Sequence, residues 1–257
     1  MIQVKQLTKD NLHVKVYGSR DEMGSGAAAE AAAYIREELK TKETLNIVFA
    51  AAPSQNEFLS SLLGEDVEWG RINAFHMDEY IGLPDDAPQG FGNFLYRHIF
   101  SKAPFRSVHY LKNCRGTASE ACAEYEKLLR ENPVDIVFMG IGENGHIAFN
   151  DPHVADFNDD KLVKTVDLDR TCRLQQVHDG CFGTLEEVPT HAMTLTIPAL
   201  VEAKKLFCIV PAKTKANALK ETVEGAVSEK CPASILRRHR DATIYADPDS
   251  ASLLTVN

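Results

Sequence analysis

The stretch VDIVFMGIGENGHIAFNDP, residues 134–152, decides the fold class of this chain. It opens with a mostly apolar run, residues 134–139, that is typical of a fully buried parallel strand. The run gives way to a turn that is rich in glycine, which lets the backbone bend tightly, and that carries Glu143, Asn144 and His146. In open α/β sheets, ligands bind at the carboxyl ends of the strands. The stretch therefore predicts a strand followed by a ligand-binding loop with acid–base side chains.

The rest of the chain alternates between strand-like and helical patterns. Apolar runs of strand length occupy residues 45–49, 72–77, 108–111, 162–166, 193–197, 206–210 and 243–246, and helical patterns occupy residues 24–40, 57–63, 93–101, 119–130 and 214–224. This alternation predicts an α/β fold with a mostly parallel, doubly wound sheet and helices on both faces, a Rossmann-like arrangement. Because we find no repeat or linker, we predict a single domain over residues 1–257. Residues 153–189 are the least regular part, and we interpret them as a candidate mobile lid.

The composition excludes several classes of function. With 28 Lys and Arg residues against 37 Asp and Glu residues, the net charge of −9 argues against general nucleic-acid binding. The first residues lack the apolar region of a signal peptide, and no apolar run is long enough to span a bilayer. The six cysteines show no CxxC spacing, which indicates neither a disulfide framework nor a metal site. We therefore expect a cytoplasmic protein with reduced thiols and no nucleic-acid or membrane partner.

Two adjacent carboxylates, Asp78 and Glu79, follow the predicted strand at residues 72–77, and we expect a loop to begin at residues 78–80. Neighbouring side chains point in different directions at the end of a strand, so only one of the two needs to face a ligand. Such a carboxylate could cap a helix. It could also be a general base, which has to lie within about 3 Å of the proton that it removes. The general base is favoured because a second strand-end loop carries His146.

His146 is distinguished from the other histidines by its neighbours. Asn144 lies two residues before it and Asp151 lies five residues after it, and both side chains can orient an imidazole ring. A histidine flanked by glycine can also simply satisfy the loop backbone. An imidazole held by these neighbours can transfer a proton near neutral pH, because its unperturbed pKa is about 6.5.

Candidate phosphate ligands lie on two segments that each follow a predicted strand. Residues 50–55, AAAPSQ, link a strand to a helix, where backbone N–H groups and the helix dipole favour a phosphate. The glycines expected in such a loop are missing, and the candidate residues are Ala51, Ala52, Ser54 and Gln55. Lys213 and Lys215 open a later helix, so either could reach the same phosphate. Three further polar residues could be substrate contacts or loop structure: Arg173, Gln175 and Gln176.

Four segments together resemble the glucosamine-6-phosphate deaminase (isomerase) family. They are FHMDEYIGLP at residues 75–84, FMGIGENGHIAFNDP at 138–152, VPTHAMTLTIPAL at 188–200 and VPAKTKANALKETVEG at 210–225. Their order and spacing are similar to the family over residues 20–250. The resemblance implies that glucosamine 6-phosphate and water are converted to fructose 6-phosphate and ammonia without a cofactor. It implies a small-molecule sugar phosphate as the partner, and it is compatible with a homo-oligomer.

The resemblance also implies roles for individual residues. Asp78 matches the family's base, which takes a proton from C2 of the open-chain sugar and returns one at C1. His146 matches the histidine that opens the sugar ring, and Lys215 matches a lysine that binds the phosphate. The phosphate-binding arginine of the family matches the neighbourhood of Arg173.

The chain departs from the family pattern at three places. Asn144 stands where the family has an aspartate, and an amide can orient the imidazole but cannot stabilise its cation by charge. Asp151 stands where the family has the longer glutamate, and Glu143 could restore a nearby negative charge. The AAAPSQ loop replaces a glycine-rich phosphate loop, so Ser54 and backbone N–H groups would take its role.

Two other functions stay open at the level of sequence. 6-Phosphogluconolactonase is a related hydrolase on a similar fold, but its loop continues from Asp-Gly-His to Ser-Leu-Phe-Pro and its chemistry needs no base at Asp78. Residues 149–152, FNDP, favour the deaminase. A non-catalytic sugar-phosphate sensor is the other alternative. Sensors of this architecture in transcription regulators carry a preceding helix-turn-helix, for which the segment before the first predicted helix is too short.

Overall fold

The computed structural model describes residues 4–112 and 116–255. The strands are, in chain order, β1 (Lys5–Lys9), β2 (Leu12–Val16), β3 (Leu45–Phe49), β4 (Ile72–His76), β5 (Asp78–Tyr80), β6 (Ser107–His109), β7 (Ile136–Met139), β8 (Val163–Asp167), β9 (His191–Leu195), β10 (Lys205–Val210) and β11 (Ala242–Ala246). The helices are α1 (Arg20–Glu38), α2 (Asn56–Leu63), α3 (Phe91–Leu95), α4 (Ala118–Glu131), α5 (Arg170–His178), α6 (Ile197–Val201) and α7 (Ala216–Glu224). The predicted elements are present within a few residues of their expected ends.

The central sheet has the strand order β1-β2-β11-β10-β7-β3-β4-β6. Within the described residues its neighbouring strands are parallel, except that β1 and β2 form an antiparallel hairpin at one edge. The predicted α/β class with a mostly parallel sheet is confirmed. The hairpin was not predicted, because its strands mix polar and apolar residues and only one face of them is buried.

Each face of this sheet carries its own hydrophobic core. On β7, Ile136 and Phe138 belong to one core, and Val137 and Met139 belong to the other. Helices α1, α2 and α3 cover the first face, and α4, α6 and α7 cover the second. A strand buried on both faces has to be apolar at every position, which is why the run at residues 134–139 identified the fold.

A second, antiparallel sheet of three strands, β5-β9-β8, lies beyond the end of β4. Asp78 pairs with Thr194 of β9 in it. The expectation of a loop at Asp78 to Tyr80 was therefore wrong, because these residues pair as a strand. The expectation of an irregular segment at residues 153–189 was also wrong in part, since it contains α5 in addition to β8, which corresponds to the predicted strand at residues 162–166.

Two further observations bear on the sequence predictions. Among residues 4–112 and 116–255, no helix combines the length and the apolar character that crossing a membrane requires. The five cysteines within these residues are free thiols, and Cys114 lies outside them.

Candidate active site

A cavity opens at the carboxyl ends of the neighbouring strands β10, β7, β3 and β4, where the fold class places a ligand. The side chains and backbone that line it come from the segments that follow these strands and from α3 and α5: Ala50, Ala51, Ala52, Ser54, Gln55, Met77, Asp78, Phe91, Gly140, Ile141, Gly142, His146, Ala148, Phe149, Gln175, Gln176 and Lys215. Nine of the residues singled out from the sequence therefore meet at one cavity: Ala51, Ala52, Ser54, Gln55, Asp78, His146, Gln175, Gln176 and Lys215.

Six other residues that the sequence singled out do not line the cavity: Glu79, Glu143, Asn144, Asp151, Arg173 and Lys213. Asn144 and Asp151 lie behind His146 and contact its ring. The side chain of Glu143 approaches His178, with 3.3 Å between Oε2 and Nδ1. Arg173 donates hydrogen bonds to the backbone carbonyls of Leu185 and Val188, so its guanidinium is turned away from the other candidate phosphate ligands.

Asp78 is the one of the two adjacent carboxylates that faces the cavity. Glu79 points away and accepts hydrogen bonds from the backbone N–H groups of Phe91 and Gly92 at 3.0 and 2.8 Å, at the start of α3. Asp78 is only 6% exposed. Burial and, after it, the charge of Glu79 raise the pKa of Asp78 well above its usual range. A carboxylate of this kind is a stronger base than one in water.

The ring of His146 is held on one side by hydrogen bonds and on another by the backbone. Its Nδ1 lies 2.7 Å from Oδ1 of Asn144 and 3.1 Å from Oδ1 of Asp151. The ring packs directly on Gly142, where an added Cβ would lie 2.2 to 2.4 Å from three ring atoms. Within the described residues Nε2 has no hydrogen-bond partner, which leaves it available to a ligand in the cavity.

Asp151 supplies the negative charge that Asn144 lacks. It is fully buried, and burial by itself opposes ionisation. Hydrogen bonds from His146, from the amide of Asn144 and from the backbone N–H of Asp169 outweigh burial and lower the pKa of Asp151. The carboxylate is therefore ionised beside Nδ1 and can stabilise the imidazolium form.

The loop that carries His146 is fastened to β9. The backbone N–H of Phe149 donates to Oγ1 of Thr194 at 3.1 Å, and the amide of Asn150 donates to the carbonyl of Leu195 at 2.8 Å. Directly before them, Ala148 has a positive φ of 49°, which a non-glycine residue rarely adopts. These bonds connect two of the segments that resemble the family, residues 138–152 and 188–200. The second segment, which contains β9, holds the loop of the first in place.

Lys215 is the clearest sign of an anionic ligand. It is 4% exposed, it lines the cavity, and its Nζ has no hydrogen-bond partner within the described residues. Burial lowers the pKa of Lys215, although the charges of Asp179 and Glu143 counteract the effect. An ammonium group without a partner is costly to bury. An anion that enters the cavity would supply the missing partner.

The AAAPSQ loop lines the cavity beside β10, where Nε2 of Gln55 donates to the carbonyl of Ile209 at 3.4 Å. Gln55 is 1% exposed, its Nε2 donates to Oγ of Ser54 at 3.1 Å, and its Oε1 has no partner within the described residues. Gly140 packs closely against it: an added Cβ there would lie 3.1 Å from Nε2 of Gln55 and 3.3 Å from the carbonyl oxygen of Ile209, so these neighbours would have to shift slightly. The loop thus presents side-chain amide and hydroxyl groups to the cavity.

Helix α5 contributes residues whose position the sequence left undecided. Gln175 and Gln176 are both buried and both line the cavity. Oε1 of Gln175 accepts the backbone N–H of Glu143 at 2.8 Å, which joins α5 to the His146 loop. Asp169, at the start of α5, was not singled out at all, because its contacts join segments far apart in sequence.

Comparison with known proteins identifies the family. The family model described as glucosamine-6-phosphate isomerases/6-phosphogluconolactonase matches residues 18–245, and the chain belongs to this family. The glucosamine-6-phosphate deaminases of Bacillus thuringiensis (strain Al Hakam) and Bacillus cereus (strain AH820) are each 33% identical over 219 residues, which cover 85% of this chain and 82% of theirs.

Solved structures agree on the fold. A monomeric glucosamine-6-phosphate deaminase superposes with a TM-score of 0.84 at 27% identity, over 93% of this chain and 99% of that one. A 6-phosphogluconolactonase from Thermotoga maritima superposes with a TM-score of 0.74 at 22% identity, over 92% of this chain and 98% of its own. The second likeness, at this identity, speaks for the shared fold only.

Proposed function

We propose that the protein is an amino-sugar phosphate isomerase and deaminase that converts glucosamine 6-phosphate and water to fructose 6-phosphate and ammonia. The observation that carries the proposal is the buried ammonium of Lys215, which has no hydrogen-bond partner among residues 4–112 and 116–255 and lies in the same cavity as Asp78 and His146. The ammonium of Lys215 can bind a phosphate, and Asp78 and His146 can carry out the proton transfers of an aldose–ketose isomerisation. The deaminase relatives at 33% identity support the same reaction.

Each residue has a distinct role in this proposal. Lys215 binds the phosphate, together with Ser54, Gln55 and the backbone of Ala51 and Ala52. His146 moves a proton between its free Nε2 and the ring oxygen, which opens the sugar ring. Asp78 then takes the proton from C2, which gives an enolamine, and returns a proton to C1, which leaves an imine at C2. Water adds to this imine, ammonia leaves, and the C2 ketone of fructose 6-phosphate is formed. Arg173 and Glu143 are not needed for these steps.

The related lactonase chemistry explains the site less well. Hydrolysis of a lactone requires attack of water on a carbonyl, and it needs no base at the sugar C2. A buried carboxylate whose pKa is raised, placed in the cavity without a hydrogen-bond donor among the described residues, is then unexplained. We therefore place the lactonase second.

The test is ammonia release from the purified protein, with glucosamine 6-phosphate and galactosamine 6-phosphate assayed side by side. Release from one of them, with one equivalent of the matching keto-sugar phosphate, supports the proposal and defines the configuration at C4. Asp78→Asn should abolish turnover but keep phosphate-dependent binding, whereas Asp86→Asn, an exposed carboxylate, should change neither. No ammonia from either sugar, together with hydrolysis of 6-phosphogluconolactone, would overturn the proposal in favour of the lactonase.

We also propose that residues 1–257 act as one cytoplasmic sugar-phosphate isomerase/deaminase domain, without a cofactor or nucleic acid. The net charge of −9 would repel a nucleic-acid backbone, and the cavity is lined by residues of the central sheet, α3, α5 and the second sheet together. Light scattering coupled to size-exclusion chromatography would give the oligomeric state, and full activity after removal of metal ions and small molecules would support cofactor-free catalysis.

A further inference from the structure

We propose that Asp169 is a positioning residue that fixes the tautomer of His146 through the side-chain amide of Asn144. The inference rests on the proposed function, in which His146 transfers a proton at Nε2. It concerns a residue that touches neither His146 nor the cavity, and it explains why this chain has Asn144 where the family it resembles has an aspartate.

The contacts of Asn144 leave its amide only one orientation. On one side, Oδ1 accepts the backbone N–H of His146 at 3.0 Å and lies 2.7 Å from Nδ1 of the same residue. On the other side, Nδ2 donates to Oδ1 of Asp151 at 2.9 Å and to Oδ2 of Asp169 at 3.0 Å. A backbone N–H can only donate and an ionised carboxylate can only accept. Exchanging the amide oxygen and nitrogen would therefore break three hydrogen bonds at once.

The fixed amide determines where the imidazole carries its proton. Oδ1 of Asn144 lies 2.7 Å from Nδ1 of His146 and can only accept, and the carboxylate of Asp151 lies 3.1 Å from the same nitrogen. Nδ1 therefore has to be the protonated nitrogen, with Asn144 as its nearer acceptor. In the neutral ring Nε2 is then unprotonated and is free to accept a proton in the cavity. The two carboxylates on Nδ2 of Asn144 are what hold the amide in this orientation.

Asp169 also connects this network to α5. Its Oδ1 accepts the backbone N–H of Cys172 at 2.6 Å as the N-cap of the helix, and its own backbone N–H donates to Oδ2 of Asp151 at 3.2 Å. The same helix presents Gln175 and Gln176 to the cavity. One carboxylate therefore ties the helix that faces the ligand to the loop that carries the histidine.

The identity of Asn144 follows from this arrangement. An aspartate at position 144 would place a third carboxylate at hydrogen-bond distance from Asp151 and Asp169, and like charges this close repel strongly. An amide satisfies both carboxylates and still presents an acceptor to His146. The chain thus keeps the orienting acceptor of the family and obtains the negative charge from Asp151.

The first test is Asp169→Asn, with Asp169→Ser as a second variant. Asparagine and serine are both good N-caps, so α5 keeps its start while the acceptor for Asn144 is lost. In 15N-histidine NMR spectra, with the His146 signals assigned by their absence from His146→Gln, the wild type should show the Nδ1–H tautomer. Both variants should show a mixture of tautomers and a kcat/KM lower by about 10-fold to 100-fold, the effect of a lost hydrogen bond to a charged group. Asp160→Asn, an exposed carboxylate, is the matched control and should change neither.

The second test is the polarity exchange Asn144→Asp combined with Asp169→Asn. In the double variant the amide at position 169 can donate to the carboxylate at position 144, so the combined loss in kcat/KM should be smaller than the product of the two single losses. A kcat/KM that falls in Asp169→Asn while the tautomer stays that of the wild type would overturn the proposal, because Asp169 would then be merely structural. An unchanged tautomer with unchanged kcat/KM would also overturn it. A shift of tautomer in a protein that releases no ammonia would support the positioning role and reject the proposed function.

Discussion

Gly142→Ala should displace the ring of His146 and reduce turnover while the protein stays folded. The added Cβ would lie 2.2 Å from Cε1, 2.3 Å from Nδ1 and 2.4 Å from Nε2 of the imidazole. Ordinary contacts of a Cβ begin at 3.4 Å, so the ring has to retreat by about 1 Å. A retreat of that size is incompatible with the 2.7 Å contact between Nδ1 and Asn144. Misplacement of a reacting group by about 1 Å costs roughly 100-fold in rate.

The assay is steady-state formation of fructose 6-phosphate from glucosamine 6-phosphate. We expect kcat to fall by about 100-fold and KM to change little, because Lys215 and the AAAPSQ loop are untouched. Gly70→Ala is the matched control: the nearest atom to its added Cβ is the carbonyl oxygen of Pro104, at 3.9 Å, so no side chain has to move. Thermal unfolding of both variants should be cooperative. Near-wild-type kcat/KM in a folded Gly142→Ala protein would refute the idea that catalysis depends on where Gly142 places the ring.

Two further predictions concern the ligands of the sugar phosphate. Lys215→Gln should raise KM by about 10-fold to 100-fold, because the buried ammonium is lost, whereas Lys213→Gln should have little effect since that side chain is exposed; equal effects would contradict the assignment of the phosphate site. His146→Gln should slow the cyclic substrate far more than an open-chain analogue, measured as kcat/KM for each. Equal losses on the two substrates would show that ring opening is not its role.

The fold was predictable from sequence wherever burial is complete. Strands such as β3 and β7 are apolar on both faces, so their position follows from composition alone. Helix α5 was missed because it is strongly polar and short, and its residues are fixed by contacts with other segments rather than by an apolar stripe. The three-residue strand β5 was missed for a related reason: only its pairing with β9 distinguishes it from a loop.

The main acid–base and cationic side chains of the candidate site were predictable from the sequence, but the residues that position them were not. Asp78, His146 and Lys215 were identified because each follows a buried strand of one sheet. Arg173 was placed in the site by resemblance, and the structure turns it toward backbone carbonyls instead. Asp169 gave no signal, because a hydrogen bond between residues 25 positions apart leaves no periodic pattern in the sequence.

Asp78 and Asp151 are both buried, but their pKa values are shifted in opposite directions. Burial raises the pKa of Asp78, and no hydrogen-bond donor among the described residues contacts its carboxylate. Burial also opposes ionisation of Asp151, but the donors His146, Asn144 and the N–H of Asp169 reverse the outcome and lower its pKa. Carboxylates whose pKa values are pushed apart can divide the work, one as a base and the other as a permanent charge.

The opposite pKa shifts of Asp78 and Asp151 predict that replacing each by asparagine changes the stability of the protein in opposite directions near neutral pH. The protonated form of Asp78 is favoured by folding, so its stabilising contribution is present in acid and is lost as pH rises through the raised pKa. Asp78→Asn should therefore raise the melting temperature near neutral pH, and the gain should vanish in acid. The ionised form of Asp151 is favoured by folding, so its contribution is present near neutral pH and is lost as pH falls through the lowered pKa. Asp151→Asn should accordingly lower the melting temperature near neutral pH and have less effect in acid, and thermal unfolding over a pH series measures both. If the two variants shift the melting temperature in the same direction at neutral pH, their environments do not divide the carboxylates into a base and a fixed charge.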